Sequence, residues 1–473
     1  MKKPQLAVLV ITLTFLPTAV WAATWEIVTY GGFDAAVSAW KKVALIFSDN
    51  TYTGLFISAA VLGALMLYFS TYIRILSGAR GGLLSWTVPV MVGLIVYVAF
   101  ILPKDSVVIY DQTLNRGPQQ IGNIPRGIAT LAGLLNKIQS GMTDIVVTST
   151  DPASDYRTNP GGTGFKLLDA FQQAPFTDQY MVKSLKQFAH DCILYEINRS
   201  GTNLNWNMIA NGDQTYQNII VESCNPSIYT VYYDKDHPDG QTKTCYEAGP
   251  YILAYLNNRN SYASKMESAC KQLGFSGNSS QCRSLIDATI QFMNSDGTIT
   301  LFGAQGVLST VLMDEIQSNS AAEAIKLMAT QSTMSQFIGL AVHAGSWIPV
   351  IRESLQAVAV SLVPFLCLFI VTPLVGRAVS VIAGMFVWVT VWAVIDAILH
   401  SFGMDLAAQA SESLSVGGVK AFGLIAMFSF PTFVAKVAAT FGAIRWAGLM
   451  LSSIITAMLI KFGGTALAML AGT

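Results

Sequence analysis

Long runs of apolar residues constrain this chain of 473 residues more than any other feature. Residues 54–73 and residues 83–102 are two apolar runs, and each has the length of roughly 20 residues that a helix needs to cross a bilayer. Hydrophobic residues make up 52% of the chain and charged residues only 12%, well below the charged share of an average soluble protein. The pattern predicts an α-helical polytopic membrane protein.

The N-terminus predicts an export signal. Lys2 and Lys3 precede an apolar stretch at residues 6–16, and small or aliphatic residues lead up to Ala22. This order is typical of a cleavable signal peptide, here residues 1–22, and the alternative is an uncleaved first membrane anchor. In both cases the following segment, residues 23–53, begins outside the cytoplasm.

Basic residues predict the orientation of the first two spans. The loop between them carries Arg74 and Arg80 and no acidic residue, and positively charged loops stay in the cytoplasm. The first span therefore runs inward and the second returns outward. Residues 54–102 are predicted to form a two-helix membrane hairpin.

The C-terminal apolar runs follow the same rule. Arg377 lies between two of them, and Lys436 and Arg445 bound a predicted turn between two more. Residues 352–473 are therefore predicted to form a four-helix membrane domain, which makes about six mature transmembrane helices in all. Residues 337–351 are short for a span and predict an interfacial or re-entrant helix. If that segment crosses the membrane, the orientation of everything after it inverts.

Residues 103–351 form a polar region that this topology places outside the cytoplasm. The sequence predicts a short strand at 107–111, a helix at 127–147 and a helix at 164–198 that breaks around Pro175. A later extended segment turns at an Asp-Gly pair. The expected domain is α-rich with a minor β component and disulfides.

Five of the six cysteines lie in this region, which favours disulfides formed in an oxidising compartment. The preferred pairs are Cys270 with Cys282, which closes a short loop, and Cys224 with Cys245, across the candidate hairpin. Sequence alone leaves the pairing open, and one of the five cysteines must stay outside these disulfides. A metal cluster is the alternative, but no C-x₂-C element occurs in the spacing.

Three polar residues interrupt the C-terminal apolar runs. Asp396 and His400 are four residues apart, so on a helix they share one face. The simplest interpretation is a pair near the outer membrane interface, where a charge is tolerated better than at the bilayer centre. Part of a hydrophilic path is the alternative. Lys461 lies near the middle of the last predicted span and either snorkels or faces a bundle interior, where it could pair with Asp396.

Small residues recur at every fourth position on two predicted spans. One stripe contains Gly376, Ser380 and Gly384, and the other contains Gly448, Ser452 and Thr456. Such stripes let helices pack closely in lipid. They favour packing within one chain or self-assembly of several chains.

Enzyme motifs are missing from the sequence. It has no nucleotide-binding G-x-x-x-x-G-K-[ST], no zinc-binding H-E-x-x-H and no G-x-S-x-G, and its four histidines are scattered. No catalytic residue, cofactor site or metal site is therefore predicted. The 28 basic and 28 acidic residues cancel, which predicts no direct binding of nucleic acid.

Two stretches resemble a known family. In residues 107–144 an extended segment leads through Asn123-Ile124-Pro125 into a helix with small residues, and residues 385–400 form a tryptophan-rich apolar run. Both are similar to the TraG-like N-terminal region of conjugation proteins in F-type type IV secretion systems. The resemblance implies a multi-pass subunit of the bacterial inner membrane that belongs to the mating-pair apparatus. It also implies a role in pilus assembly and DNA transfer, contacts with other secretion subunits, and homo-oligomers.

Longer members of that family continue into a large periplasmic domain linked to mating-pair stabilisation and exclusion. This chain stops at Thr473, which leaves those two roles open here. Two other function classes compete with a scaffold. A secondary transporter would use Asp396 and Lys461 in its path and would work alone, whereas a scaffold would co-purify with a large complex. A membrane enzyme is the third class, and the missing motifs disfavour it.

Overall fold

The computed structural model describes residues 24–77, 87–148, 154–205, 209, 214–275, 280–319, 354–372, 375–412, 422–423, 426–427 and 430–472. The predicted signal peptide, residues 1–22, and the predicted re-entrant segment, residues 337–351, lie outside these ranges. The chain divides into two compact units. The first unit comprises residues 1–148, 348–399 and 445–473, and the second comprises residues 149–347 and 400–444.

The described chain is mostly helical, with two small sheets. In chain order its elements are β1 (Thr24–Thr29), α1 (Phe33–Ser48), α2 (Asn50–Leu76), α3 (Thr87–Val96) with a π-helical turn (Tyr97–Ile101), β2 (Lys104–Asp111), β3 (Arg116–Pro125), α4 (Arg126–Thr148), α5 (Thr163–Gln173), α6 (Gln179–Phe188) with a π-helical turn (Ala189–Ile193), α7 (Leu194–Asn198), α8 (Tyr216–Glu222), β4 (Tyr229–Tyr232), β5 (Gln241–Thr244), α9 (Cys245–Asn257) with a 3-10 turn (Arg259–Tyr262), α10 (Ala263–Gln272), α11 (Ser280–Met293), α12 (Ile299–Asn319), α13 (Ser354–Ile370) ending in a 3-10 turn (Leu368–Val371), α14 (Val375–Glu412) and α15 (Phe430–Gly472).

A three-stranded sheet forms part of the first unit. Strand β1 pairs in parallel with β2, and β2 pairs antiparallel with β3. Alternate residues of β2 are buried, among them Val107 and Ile109, as expected for a strand with one face on a core. This pairing joins the N-terminal strand to residues 104–125, and all of these residues belong to the first unit.

Helix α2 has mostly exposed apolar side chains along its length. It begins after Asp49, whose carboxylate accepts a hydrogen bond from the Thr51 backbone N–H at 2.7 Å. One exception to its exposure is Tyr52, which is buried and donates its hydroxyl to the Pro364 carbonyl at 2.7 Å. The apolar, uncovered surface is what a lipid-facing helix requires, because lipid replaces protein as its apolar neighbour.

The two C-terminal helices are longer than the predicted spans. Helix α14 continues beyond the apolar run through Asp405 to Glu412. Helix α15 runs without a break through Lys436 and Arg445, so the predicted turn between them is wrong. The residues between these two basic side chains are mostly apolar and include no proline, so nothing in them interrupts the backbone hydrogen bonds of a helix.

Three of the described helices are long and apolar enough to cross a membrane. These segments are Asn50–Ile73, Arg377–Ser411 and Phe430–Leu459. Shorter apolar helices occur at Val90–Ile101, Ile299–Leu312 and Ser354–Ile370. The structure supports a membrane protein, and the predicted count of about six spans is not confirmed by helix length.

The second unit has an α-helical core and a short antiparallel hairpin. Its fully buried side chains include Phe188, Ile220 and Leu308. Strands β4 and β5 pair antiparallel around the predicted Asp-Gly turn. Helix α9 then starts in a capping box, in which Thr244 and Glu247 bond each other's backbone N–H groups. The α-rich composition with a minor β element agrees with the sequence prediction.

Two disulfides stabilise the second unit. Cys270 is joined to Cys282, the short-loop pair preferred from the sequence. Cys245 is joined to Cys192, so the expected Cys224–Cys245 pair is wrong. The π-helical turn after α6 carries Cys192 into the core, where it reaches the first residue of α9. Cys224 remains a free thiol, half-buried, whose S–H donates to the Ile220 carbonyl.

Candidate functional site

A buried ion pair joins α14 and α15 in the first unit. Arg445 Nε lies 2.9 Å from Asp396 Oδ1, and the two side chains are 2% and 6% exposed. Neither Arg445 Nε nor Nη1 has an aligned hydrogen bond among the described residues. An isolated charge in an apolar interior costs several kcal/mol, so each group requires the other.

His400 belongs to the second unit and is held there by backbone atoms of the same unit. Its Nδ1 accepts from the Gly161 N–H at 3.2 Å, and its Nε2 lies 3.1 Å from the Ser154 carbonyl oxygen. Because an N–H only donates and a carbonyl only accepts, these partners select the neutral tautomer with its proton on Nε2. Both ring nitrogens are occupied, so the imidazole is not available as a metal ligand in this structure.

The pocket around His400 depends on close packing. Phe441 stacks on the imidazole with ring centroids 5.4 Å apart, and Tyr156 meets it edge-on at 5.5 Å. Gly161 and Gly162 both have positive φ angles, and a Cβ on Gly162 would lie 2.9 Å from Phe441. The loop therefore needs glycine to bring its N–H to the histidine. No sequence motif pointed to a role for this glycine pair.

Close helix contacts continue along α15 beyond Arg445. A Cβ on Gly448 would lie 2.8 Å from Leu399 Cδ1, so glycine is needed where the two helices approach. Ser452 is fully buried one turn later, and the Ser453 hydroxyl accepts from Trp388 Nε1 at 3.2 Å. The second predicted stripe thus packs within one chain over the residues that the structure describes.

The first stripe and Lys461 have different surroundings. Ser380 is exposed and Gly384 half-exposed, while the surroundings of Gly376 lie outside the described side chains. Lys461 is exposed and follows Arg445 by 16 residues, which is roughly 24 Å along a helix. It is therefore not the partner of Asp396, whose counter-ion is Arg445.

The family-like motif forms a β-bulge. Between paired residues, β3 has Gly122 and Asn123 opposite the single residue Ser106 of β2. Asn123 has a φ of 61°, in the left-handed region that asparagine tolerates better than most residues. Pro125 then ends the strand, and α4 begins at the next residue. The Asn-Ile-Pro step therefore redirects the chain from strand into helix.

Asp111 ties the same hairpin to the N-terminal strand. Its Oδ2 accepts from the Thr29 hydroxyl at 2.9 Å and from the Gly31 N–H at 2.7 Å. Its Oδ1 accepts from the Leu114 N–H at 2.7 Å. A buried carboxylate with several donors is stable, so the aspartate fixes the start of the β2–β3 turn.

Sequence reasoning found Asp396 and His400 but missed Arg445. It interpreted Arg445 as the edge of a cytoplasmic turn, although an acid on an apolar helix needs a cation on a neighbouring one. No cluster of three or more potential metal ligands occurs among the described residues. The ion pair and the close contact at Gly448 join α14 to α15.

Comparison with known proteins gives one match. The family model described as TraG-like protein, N-terminal region, matches residues 26–473. No curated protein and no solved structure matches the chain. The matched range includes the β2–β3 bulge, both disulfides and the Asp396–Arg445 pair.

Proposed function

We propose, because the chain belongs to the TraG-like protein family, that it is an inner-membrane structural subunit of a conjugative type IV secretion system. The family model that it matches covers the N-terminal region of these proteins. In this role it is needed for pilus assembly and DNA transfer. The observation that carries the proposal is the family match, which extends over nearly the whole chain. Membrane-length helices and two disulfides support it, because such a subunit must be held in a bilayer and face an oxidising compartment.

The proposed topology follows from the disulfides. The bonded cysteines all lie between Cys192 and Cys282, so we assign this stretch of the chain to the periplasm, where disulfides form and persist. The proposed domains remain a signal peptide at residues 1–22, a periplasmic segment at 23–53, a membrane hairpin at 54–102, a periplasmic domain at 103–351 and a membrane domain at 352–473.

The proposed mechanism is positional. The buried Asp396–Arg445 pair and the Gly448 contact hold α14 against α15, and a rigid helix pair of this kind suits a scaffold. A translocation path would need polar groups that water or substrate can reach. Asp396 and Arg445 are almost completely buried, which disfavours Asp396 as part of the transporter path that the alternative assigned to Asp396 and Lys461.

Partners of the chain are proposed to be other secretion subunits and further copies of itself. Exposed small and apolar side chains support self-association, because a second copy of the chain can pack against them. Helix α4 has the exposed apolar residues Leu134, Ile138 and Ile145 at helical spacing, and Ser380 is exposed on α14. Small and apolar exposed positions are what helix association uses.

An in-frame deletion tests the proposal. Conjugative transfer and pilus formation are both measured, with the intact chain supplied in trans as the control. Loss of both, restored by the intact chain, supports a subunit needed for assembly. Retention of pili with loss of transfer would move the role to mating-pair contact or DNA passage. Normal transfer and normal pili would refute the proposal.

A further inference from the structure

The second unit contains a cleft that the proposed function does not use. Its volume is about 560 Å³, within the usual range of small-ligand pockets. The cleft lies among α5, α6, α10 and α12, and its lining includes the rings of Phe171, Phe176 and Phe302. Gly303 and Gly306 present one wall without side chains. The cleft is therefore apolar enough, and open enough, to accept a hydrocarbon group.

Two cations line this cleft, and no acidic residue is among the residues that line it. One cation, Lys265 on α10, is 4% exposed. Its Nζ donates to the Gln172 carbonyl oxygen at 3.2 Å. The second cation is Lys186 at the end of α6. A cleft with two ammonium groups and no lining carboxylate attracts anions.

The surroundings of Lys265 do not satisfy its charge. An ammonium group has three N–H donors, and the Gln172 carbonyl is the one described acceptor that bonds it. The ring of Phe176 lies 4.4 Å from Nζ and that of Phe171 5.5 Å, so cation–π contacts offset part of the lost hydration. No described carboxylate pairs with it. Burial accordingly lowers the pKa of Lys265 to about 8.

We propose that this cleft binds the carboxylate of an apolar ligand, with Lys265 as the cation that receives it. The two remaining N–H donors would bond the carboxylate oxygens, and the phenylalanine rings would cover the apolar part. A carboxylate fits better than a cation because the lining offers two ammonium groups together with amide and hydroxyl groups, and it includes no carboxylate. Both a free small acid and the C-terminal carboxylate of a peptide carry this chemistry.

The binding site is independent of the proposed role in conjugation. A purely structural Lys265 is the competing explanation, since its bond to Gln172 also satisfies a carbonyl in the last turn of α5. The two explanations differ in one respect. A structural lysine needs no anion, whereas a receptor lysine discriminates a carboxylate from the matching neutral amide.

The test uses the purified full-length protein in detergent and isothermal titration calorimetry. The probes are phenylbutyrate and its neutral amide, phenylbutyramide. We expect the acid to bind at least roughly tenfold more tightly than the amide, because a charge-assisted hydrogen bond to a buried group is worth about 1.4 kcal/mol or more. Equal binding of acid and amide, or no binding of either, would overturn the proposal without any variant.

Two lysine variants of α10 sharpen the result. Lys265→Met should reduce binding of phenylbutyrate at least roughly tenfold, while retaining the Cys192–Cys245 disulfide and a cooperative melt. Lys271→Met is the matched control, because Lys271 is exposed and pairs with Glu267 on the same helix. Undiminished binding by a folded Lys265→Met protein would contradict the proposal.

A second pair of probes identifies the source of the carboxylate. An acetylated tripeptide ending in phenylalanine is compared as its free acid and as its C-terminal amide. Tighter binding of the peptide acid than of phenylbutyrate assigns the site to a peptide terminus. Equal or weaker binding assigns it to a small acid, and in both cases the amide must bind less tightly than the acid.

Discussion

Removing the negative charge of Asp396 should strongly destabilise the helix pair formed by α14 and α15. Asp396→Asn preserves the shape of the side chain but leaves the Arg445 guanidinium buried without its counter-ion. The two side chains are 6% and 2% exposed, so solvent cannot replace the lost charge. Breaking one half of such a buried pair costs about 3–5 kcal/mol, or roughly 10²- to 10⁴-fold in the folding equilibrium.

The double variant separates a structural pair from a functional one. Asp396→Leu with Arg445→Met removes both charges and keeps apolar volume in the helix interface. Replacing a buried ion pair in this way is often neutral or stabilising, so we expect stability within about 1 kcal/mol of the native protein. The coupling energy from the double-mutant cycle should then be at least about 3 kcal/mol.

Stability and function are measured side by side. Unfolding in mixed micelles of a mild detergent and SDS is followed by tryptophan fluorescence, and each variant is also tested for restoration of conjugative transfer in the deletion strain. A structural pair predicts that the double variant restores both stability and transfer. Asp405→Asn is the matched control, because Asp405 is an exposed acid on the same helix and should cost less than about 0.5 kcal/mol.

Two results would refute a structural role for the pair. If Asp396→Asn lowers the free energy of unfolding by less than about 1 kcal/mol, the ion pair is solvated, contrary to its burial in the structure. A stable double variant that fails to support transfer would mean that the charges act in conjugation itself. The second result would return Asp396 to the hydrophilic-path interpretation.

The Cys192–Cys245 disulfide, the Gly448 contact and Lys265 each give a further prediction. Cys192→Ser should lower the free energy of unfolding by about 4 kcal/mol, because the disulfide closes a separation of 53 residues. Cys224→Ser, which removes a free thiol, should leave it nearly unchanged, and thermal melts measure both variants. Gly448→Val should lower the free energy of unfolding by about 1–3 kcal/mol through overpacking against Leu399. Gly54→Val is the control, because no atom lies near its Cβ, and it should lower this free energy by less than about 1 kcal/mol. Equal losses in the two variants would contradict the close approach at Gly448. Lys265 has a pKa lowered from 10.5 to about 8, so the unfolded chain binds more protons between these values. The free energy of unfolding of the native protein minus that of Lys265→Met should therefore rise by about 2 kcal/mol from roughly pH 7.5 to 9.5. A difference that does not change with pH would refute the burial of the Lys265 charge.

Local patterns predicted much of the fold. The short strand within β2, the helix over α4 and the hairpin around the Asp-Gly turn all depend on neighbours within a few positions. The Cys270–Cys282 pair also belongs to this group, because a separation of 12 residues leaves the two side chains close by default. Apolar length likewise predicted a membrane protein, since a bilayer requires a run of that kind whatever its partners are.

Only the tertiary structure decided which distant groups meet. Cys192 rather than Cys224 reaches Cys245, because a π-helical turn directs it into the core. Arg445 lies inside a continuous helix and meets Asp396 across the helix pair, a contact that its position in the sequence did not specify. His400 is neutral because two backbone groups, Gly161 and Ser154, are brought to its ring. Each outcome depends on burial, and burial is a property of the packed chain that no local spacing specifies.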